Sequence, residues 1–220
     1  MRLPELIRAV ENKYNRFLTF LIVIYLFSPF LEDRSIGSAI IFLLFLGSVI
    51  IVVYQIQHSK RTLKLHVGLV VLALSFRILS FVPSIPIIFS RTFDVFSTLI
   101  LLAFLMLSSY LIQWELTITE QVTADLVKGG ICIYFLIGFF WAALYGIVYS
   151  FDPNAFNAAS VPLTRADLTH FSFTTLTTVG YGDISPASEI ARVLANLEGM
   201  VGVMYPAVFI ARLVSLHSKG

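Results

Sequence analysis

The sequence predicts an all-α transmembrane fold: six spanning helices, with a short helix between the last two that enters the membrane and returns. Three observations carry this. First, of 220 residues 58% are hydrophobic and 13% charged, with a mean hydropathy of +0.88; ordinary globular domains are about 45–50% apolar and about 25% charged. A water-soluble fold could not hide so much apolar surface. Second, charged residues cut the chain into six long intervals with little or no charge, and a span needs roughly 20 apolar residues. Third, the one long stretch of different character, residues 152–186, falls between the fifth and sixth intervals.

Residues 17–31 are uncharged, and Glu32, Asp33 and Arg34 end them. Residues 35–59 are again uncharged, closed by Lys60, Arg61 and Lys64. The third interval runs from Leu65 and holds Arg77; Pro83 and Pro86 break it, since proline ends or kinks a helix. Residues 95–114, between Asp94 and Glu115, make the fourth, residues 129–151 the fifth and residues 190–216 the sixth. Only helices satisfy the backbone of such single spans in lipid. Arg77 lies near the outer end of its span, where snorkelling is the default expectation over a buried pair.

Basic residues orient the chain. With the amino terminus in the cytoplasm, Arg2, Arg8, Lys13, Arg16, Lys60, Arg61, Lys64, Lys128, Arg212 and Lys219 fall inside. Arg34, Arg91, Arg165 and Arg192 fall outside. Both termini are therefore expected in the cytoplasm, with the chain in the cell (inner or plasma) membrane. Leu3, Leu6, Ile7, Val10 and Tyr14 recur at helical spacing, as in a helix lying on the membrane surface. Ile118, Val122 and Leu126 repeat every four residues and predict a second interfacial helix before the fifth span. The domain division follows: 1–128 a peripheral four-helix bundle with its linker helix, 129–220 a carboxy-terminal unit.

Several classes are set aside. The net charge of +2 and the lack of like-charge blocks give no sign of a nucleic-acid partner. A single cysteine, Cys132, rules out an intrachain disulfide and a Cys-rich metal site. Glu5 and Glu11 precede the first apolar run and no small-residue cleavage site follows it, so a removable signal peptide is not expected. Four scattered histidines, no G-x-S-x-G and no phosphate loop leave nothing catalytic, and no enzyme activity, cofactor or obligatory soluble partner is expected. Membrane lipids are the expected surroundings.

Within 152–186, Thr164 and Asp167 make a capping-box start for a helix of about Arg165 to Leu176, too short to span. After it comes Thr177-Thr178-Val179-Gly180-Tyr181-Gly182-Asp183. Non-helical backbone at membrane depth is tolerated only where it lines water or is buried in protein. Gly180 and Gly182 can adopt backbone angles closed to other residues. Alternation of ordinary and glycine residues lets successive carbonyls face one way, so strips from several chains could form stacked rings of oxygens.

Residues 177–183 match the potassium-channel filter signature without departure. The order of outer helix, short helix, strip and inner helix is similar to the pore domain of the voltage-gated-like cation channel superfamily. The runs FFWAALYG, HFSFTTLTTVGYGD and LEGMVGVMYPAVFIARLV resemble small prokaryotic six-span potassium channels. The likeness is strong over residues 129–214 and only architectural over 1–128. It implies that Thr178, Val179, Gly180 and Tyr181, with Gly182, form a K+-binding selectivity filter, the Thr178 hydroxyl adding the innermost ring. Thr177 supports the filter, the Tyr181 side chain braces it, and Asp183 sits at the outer mouth, where four carboxylates would concentrate cations. One strip per chain implies a homotetramer, with K+ as permeant ligand rather than cofactor.

Other residues carry two readings each. His170 either donates to Asp183, making filter stability depend on outer pH since histidine changes charge near neutrality, or is a packed histidine bonded to backbone. Glu198, mid-way along the sixth span, is placed behind the filter near Thr174 and Thr175, where burial disfavours a charge; it either makes a structural hydrogen bond or tunes conduction. Gly199 and Gly202 are candidate hinge positions or close-packing sites, Gly202 being the likeness to the family hinge, and Pro206 can kink the same helix. Arg192 anchors the outer end of that span by pairing or snorkelling. The fourth interval lacks arginines, so steep voltage gating is not expected, and with eight residues after Arg212 no cytoplasmic ligand-binding domain is expected. Potassium-selective passive conduction is the leading reading. The alternatives are a weakly selective cation channel, a membrane subunit of a potassium uptake system, or a non-conducting sensor or scaffold.

Overall fold

Tyr14, Phe17, Leu21 and Ile24 recur at three- and four-residue spacing, and the chain buries all four on one face of helix α1 (Lys13–Phe27). The computed structural model describes residues 13–27, 36–57, 59–80, 82, 86–159 and 162–218. Helices α2 (Ile36–Gln57), α3 (Lys60–Ser80), α4 (Ile87–Ile118) and α5 (Ala124–Phe151) follow. A short strand β1 (Phe156–Ala158), helix α6 (Arg165–Leu176), strand β2 (Ile184–Pro186) and helix α7 (Glu189–His217) complete the order. Among the described residues, α3, α4, α5 and α7 are long and apolar enough to cross a membrane. The surface helix expected from Leu3, Leu6, Ile7 and Val10, the breaks at 32–34 and Pro83, and the end of the first interval lie outside the described residues.

Local chemistry sets the ends of these helices. Helix α4 begins directly after Pro86, whose carbonyl accepts the first helical bond from the Ser90 amide at 3.1 Å. It is 32 residues long and takes in Arg91 and Asp94 beyond the expected interval. Helix α5 is capped by Thr123, whose hydroxyl accepts from the Leu126 amide at 3.1 Å. Ser188 caps α7 in the same way, accepting from the Ala191 amide at 3.2 Å.

One expectation is corrected here. Residues 119–123 carry no helix, so no separate linker helix joins α4 to α5. The four-residue repeat of Ile118, Val122 and Leu126 spans the end of one helix, a turn and the start of the next. Thr123 is the physical reason, because a side chain that caps a new amino terminus competes with continuing the old helix.

The chain divides into two units. The first takes in the chain up to His66, Leu107–Leu136 and the chain from Ala207. Its core joins the α1 stripe to Leu46, Val49 and Val53 of α2, Ile112 and Leu116 of α4, and Leu126, Cys132 and Leu136 of α5. Lys13 and the Tyr14 hydroxyl both bond to Glu115. The Arg212 guanidinium caps the end of α4, donating to the carbonyls of Leu116 at 2.9 Å, Thr117 and Thr119 at 3.3 Å.

The second unit takes in Val67–Met106 and Ile137–Pro206. Rings of Tyr145, Phe156 and Phe171 meet edge-on with centroids 5.0–5.6 Å apart. Strands β1 and β2 pair antiparallel, Phe156 opposite Pro186 and Ala158 opposite Ile184. Arg77 does not snorkel: it pairs with Asp94, and the same carboxylate takes Arg165 at 2.9 Å. A desolvated guanidinium is better served by a carboxylate on the neighbouring helix than by reaching for distant water.

Candidate functional site

Helix α6 and the seven residues after it lie entirely within the second unit. The helix has the expected bounds, Arg165–Leu176, and a complete capping box. The Thr164 hydroxyl accepts from the Asp167 amide at 3.2 Å, and the Asp167 carboxylate accepts from the Thr164 amide at 2.8 Å. Three of its last four carbonyls, those of Phe173, Thr174 and Thr175, accept from the residues that follow. The Thr177 amide donates to Phe173 at 3.1 Å and the Thr178 amide to Thr175 at 3.0 Å. The amides of Val179 and Gly180 both reach the Thr174 carbonyl, at 2.9 and 3.2 Å. The amides of residues 177–180 are thus spent on the helix, and they satisfy carbonyls of its last turn at the same time.

The backbone of the strip alternates. Thr178, Gly180 and Gly182 have φ of 60°, 53° and 79°, while Val179 and Tyr181 between them stay at negative φ. Glycine adopts such angles freely. Thr178 does not: a β-branched residue there is an outlier costing about 1–3 kcal/mol. All seven residues of 177–183 are exposed in the single chain, Val179 by 53% and Tyr181 by 73%. The helix end beside them carries roughly half a negative charge from its aligned peptides, which favours a cation.

Two further contacts hold the carboxy-terminal end of the strip. His170 Nε2 lies 2.9 Å from Asp183 Oδ2. The His170 ring also stacks on that of Tyr181, centroids 5.9 Å apart and 3° from parallel. Directly after Asp183 the chain enters β2, and the Ala155 carbonyl accepts from the amides of Ala187 and Ser188 at 2.8 and 3.2 Å. A three-residue strand gives no periodicity to read, so this ribbon had no signal in the sequence.

Glu198 is fully buried, but its partners are not those expected. Tyr145 of α5 donates to Oε2 at 2.5 Å, and Ser172 Oγ lies 2.6 Å from Oε1. Thr174, two residues on and so about 200° round α6 from Ser172, bonds its own helix at Phe171 instead. Thr175 contributes its carbonyl to the strip. Gly202 is buried, and a Cβ there would lie 1.9 Å from the Leu176 carbonyl oxygen. Helices α7 and α6 can approach that closely only at a glycine. Gly199 faces open space in the single chain, and Pro206 sits within α7. Arg192 donates to the Pro186 carbonyl at 3.3 Å. Tyr145, Ser172, Asp94 and Arg165 were not singled out for the site from the sequence. The need of a buried carboxyl for partners was the available pointer to the first two.

Residues 129–219 match the model of an ion channel family. No curated protein and no solved structure matches the chain. The matched region contains α6, the strip and α7, and its likeness to ion channels supports passive ion conduction across a membrane.

Proposed function

We propose that the chain is the subunit of a homotetrameric, potassium-selective channel of the cell membrane, crossing it six times with both termini in the cytoplasm. Four copies of residues 177–183 would meet on a common axis, α6 being the re-entrant pore helix. The carbonyls of Thr178, Val179, Gly180 and Tyr181 then replace the hydration shell of K+, and ions move in single file down their gradient. The observation that carries this reading is the alternation of left-handed residues at Thr178, Gly180 and Gly182. With the amides of 178–180 spent on α6, the carbonyls are the groups the strip has to offer a cation. The exposed apolar flank of α7, including Val193, Leu197, Met200 and Met204, agrees with a helix that other copies and lipid must cover. No arginine lies between residues 95 and 114, so gating should be nearly flat with voltage.

The test is to reconstitute purified protein alone in liposomes and measure potassium efflux, alongside its mass in detergent. Efflux from a tetramer without partner or nucleotide supports the reading. A monomer or dimer, or silence in pure liposomes, overturns it.

A further inference from the structure

Three helices of the second unit meet at one carboxyl, and their hydrogen bonds can be counted proton by proton. Tyr145 Oη lies 2.5 Å from Glu198 Oε2, Ser172 Oγ 2.6 Å from Glu198 Oε1, and Ser172 Oγ 2.8 Å from the Gly138 carbonyl oxygen. A carbonyl only accepts, and a serine hydroxyl has one proton to give. The Ser172 proton therefore goes to Gly138. Its contact with Glu198 then needs a proton from the carboxyl side, while Tyr145 supplies the proton of the third contact. Three contacts need three protons, and an ionised Glu198 leaves two. Tyr145, Ser172 and Glu198 are all fully buried, and two desolvated oxygens 2.6 Å apart with no proton between them repel.

We infer that Glu198 is a neutral carboxylic acid that donates to Ser172, which in turn donates to the Gly138 carbonyl, so that one acid proton fixes α6 against α5 and α7. Among the described residues, Tyr145 from α5 is the titratable group bonded to Glu198, and Ser172 is its partner from α6. Glu198 is a positioning residue. It acts through Ser172 on a helix whose next carbonyls, at Thr174 and Thr175, hold the amides of residues 178–180. The chain of bonds rests on side-chain geometry and not on which ion the strip takes.

Infrared difference spectroscopy of the full chain in lipid, wild type minus Glu198→Gln, tests this at neutral pH. The expected difference is the carbonyl band of a protonated carboxylic acid, shifted in heavy water. Glutamine offers an N–H to Ser172 and a C=O to Tyr145, so Glu198→Gln should assemble and keep its current within about twofold, while Glu198→Asp, one methylene shorter, loses about tenfold. Carboxylate bands in place of the acid band overturn the inference. So does a Glu198→Gln protein that fails to assemble or loses current as Glu198→Asp does. A protein that carries the acid band but passes no ions supports this inference while overturning the proposed conduction.

Discussion

His170 and Asp183, thirteen residues apart, meet at 2.9 Å across the carboxy-terminal end of the strip, and the same imidazole stacks on Tyr181. The imidazole thus ties α6 to the residue that closes the strip, through one hydrogen bond and one stacked ring. His170→Ala removes both contacts and should speed the loss of current during sustained recording, whereas His170→Gln keeps a side-chain donor and should lose less. Equal decay of current in wild type and His170→Ala removes this role from His170.

Asp94 is shared by Arg77 and Arg165, and Arg77 is the more buried of the two, its side chain 17% exposed against 43%. Exposed pairs contribute about 0.2–1 kcal/mol, whereas stranding a mostly buried charge costs more, about 3 kcal/mol at the upper end. Asp94→Asn should lower the melting temperature of the assembled protein clearly more than Arg165→Gln does. Thermal unfolding followed by size-exclusion fluorescence measures both, and equal shifts would contradict the assignment of Arg77 to Asp94.

Gly202→Ala places a methyl against the Leu176 carbonyl, where backbone must move. Overpacking of this kind costs about 1–3 kcal/mol, and here it pushes on the last residue of α6. Assembly or conduction should fail in Gly202→Ala. Gly199→Ala meets nothing within 4 Å in the single chain and should behave near wild type. Current per milligram of tetramer separates them. Equal, intact currents would show that the Gly202 contact yields easily.

Gly180 sits at a φ of 53° with no side chain near it. Gly180→Ala meets no steric neighbour but is forced into left-handed backbone at a cost of about 1–2 kcal/mol. The strip should lose its ion preference while the tetramer persists, read as a collapse of the reversal potential in mixed potassium and sodium. Unchanged selectivity would mean that the left-handed geometry is dispensable.

The features legible in the sequence were those written in short-range pattern. The capping box of Thr164 and Asp167 set the start of α6, and the alternation of glycines announced left-handed backbone at Gly180 and Gly182. Long-range partners were not legible. Glu198 demanded company, but nothing local says that it comes from Tyr145, 53 residues away, rather than from Thr174. Arg77 of α3 meets Asp94 of α4 where Ser97 also donates to the Ala73 carbonyl, a long-range geometry that charge spacing does not encode. The linker helix expected through Val122 failed because Thr123 spends its side chain on capping the next helix. Thr178 carries a left-handed angle that its own residue type argues against.

The most direct measurement of the central claim is the reversal potential of reconstituted protein with potassium and sodium on opposite sides of the membrane. The reading of residues 177–183 as rings of peptide oxygens predicts that this potential follows the potassium gradient, by about 59 mV for each tenfold change, and ignores the sodium gradient. A reversal potential near zero in equal, opposed potassium and sodium would contradict it.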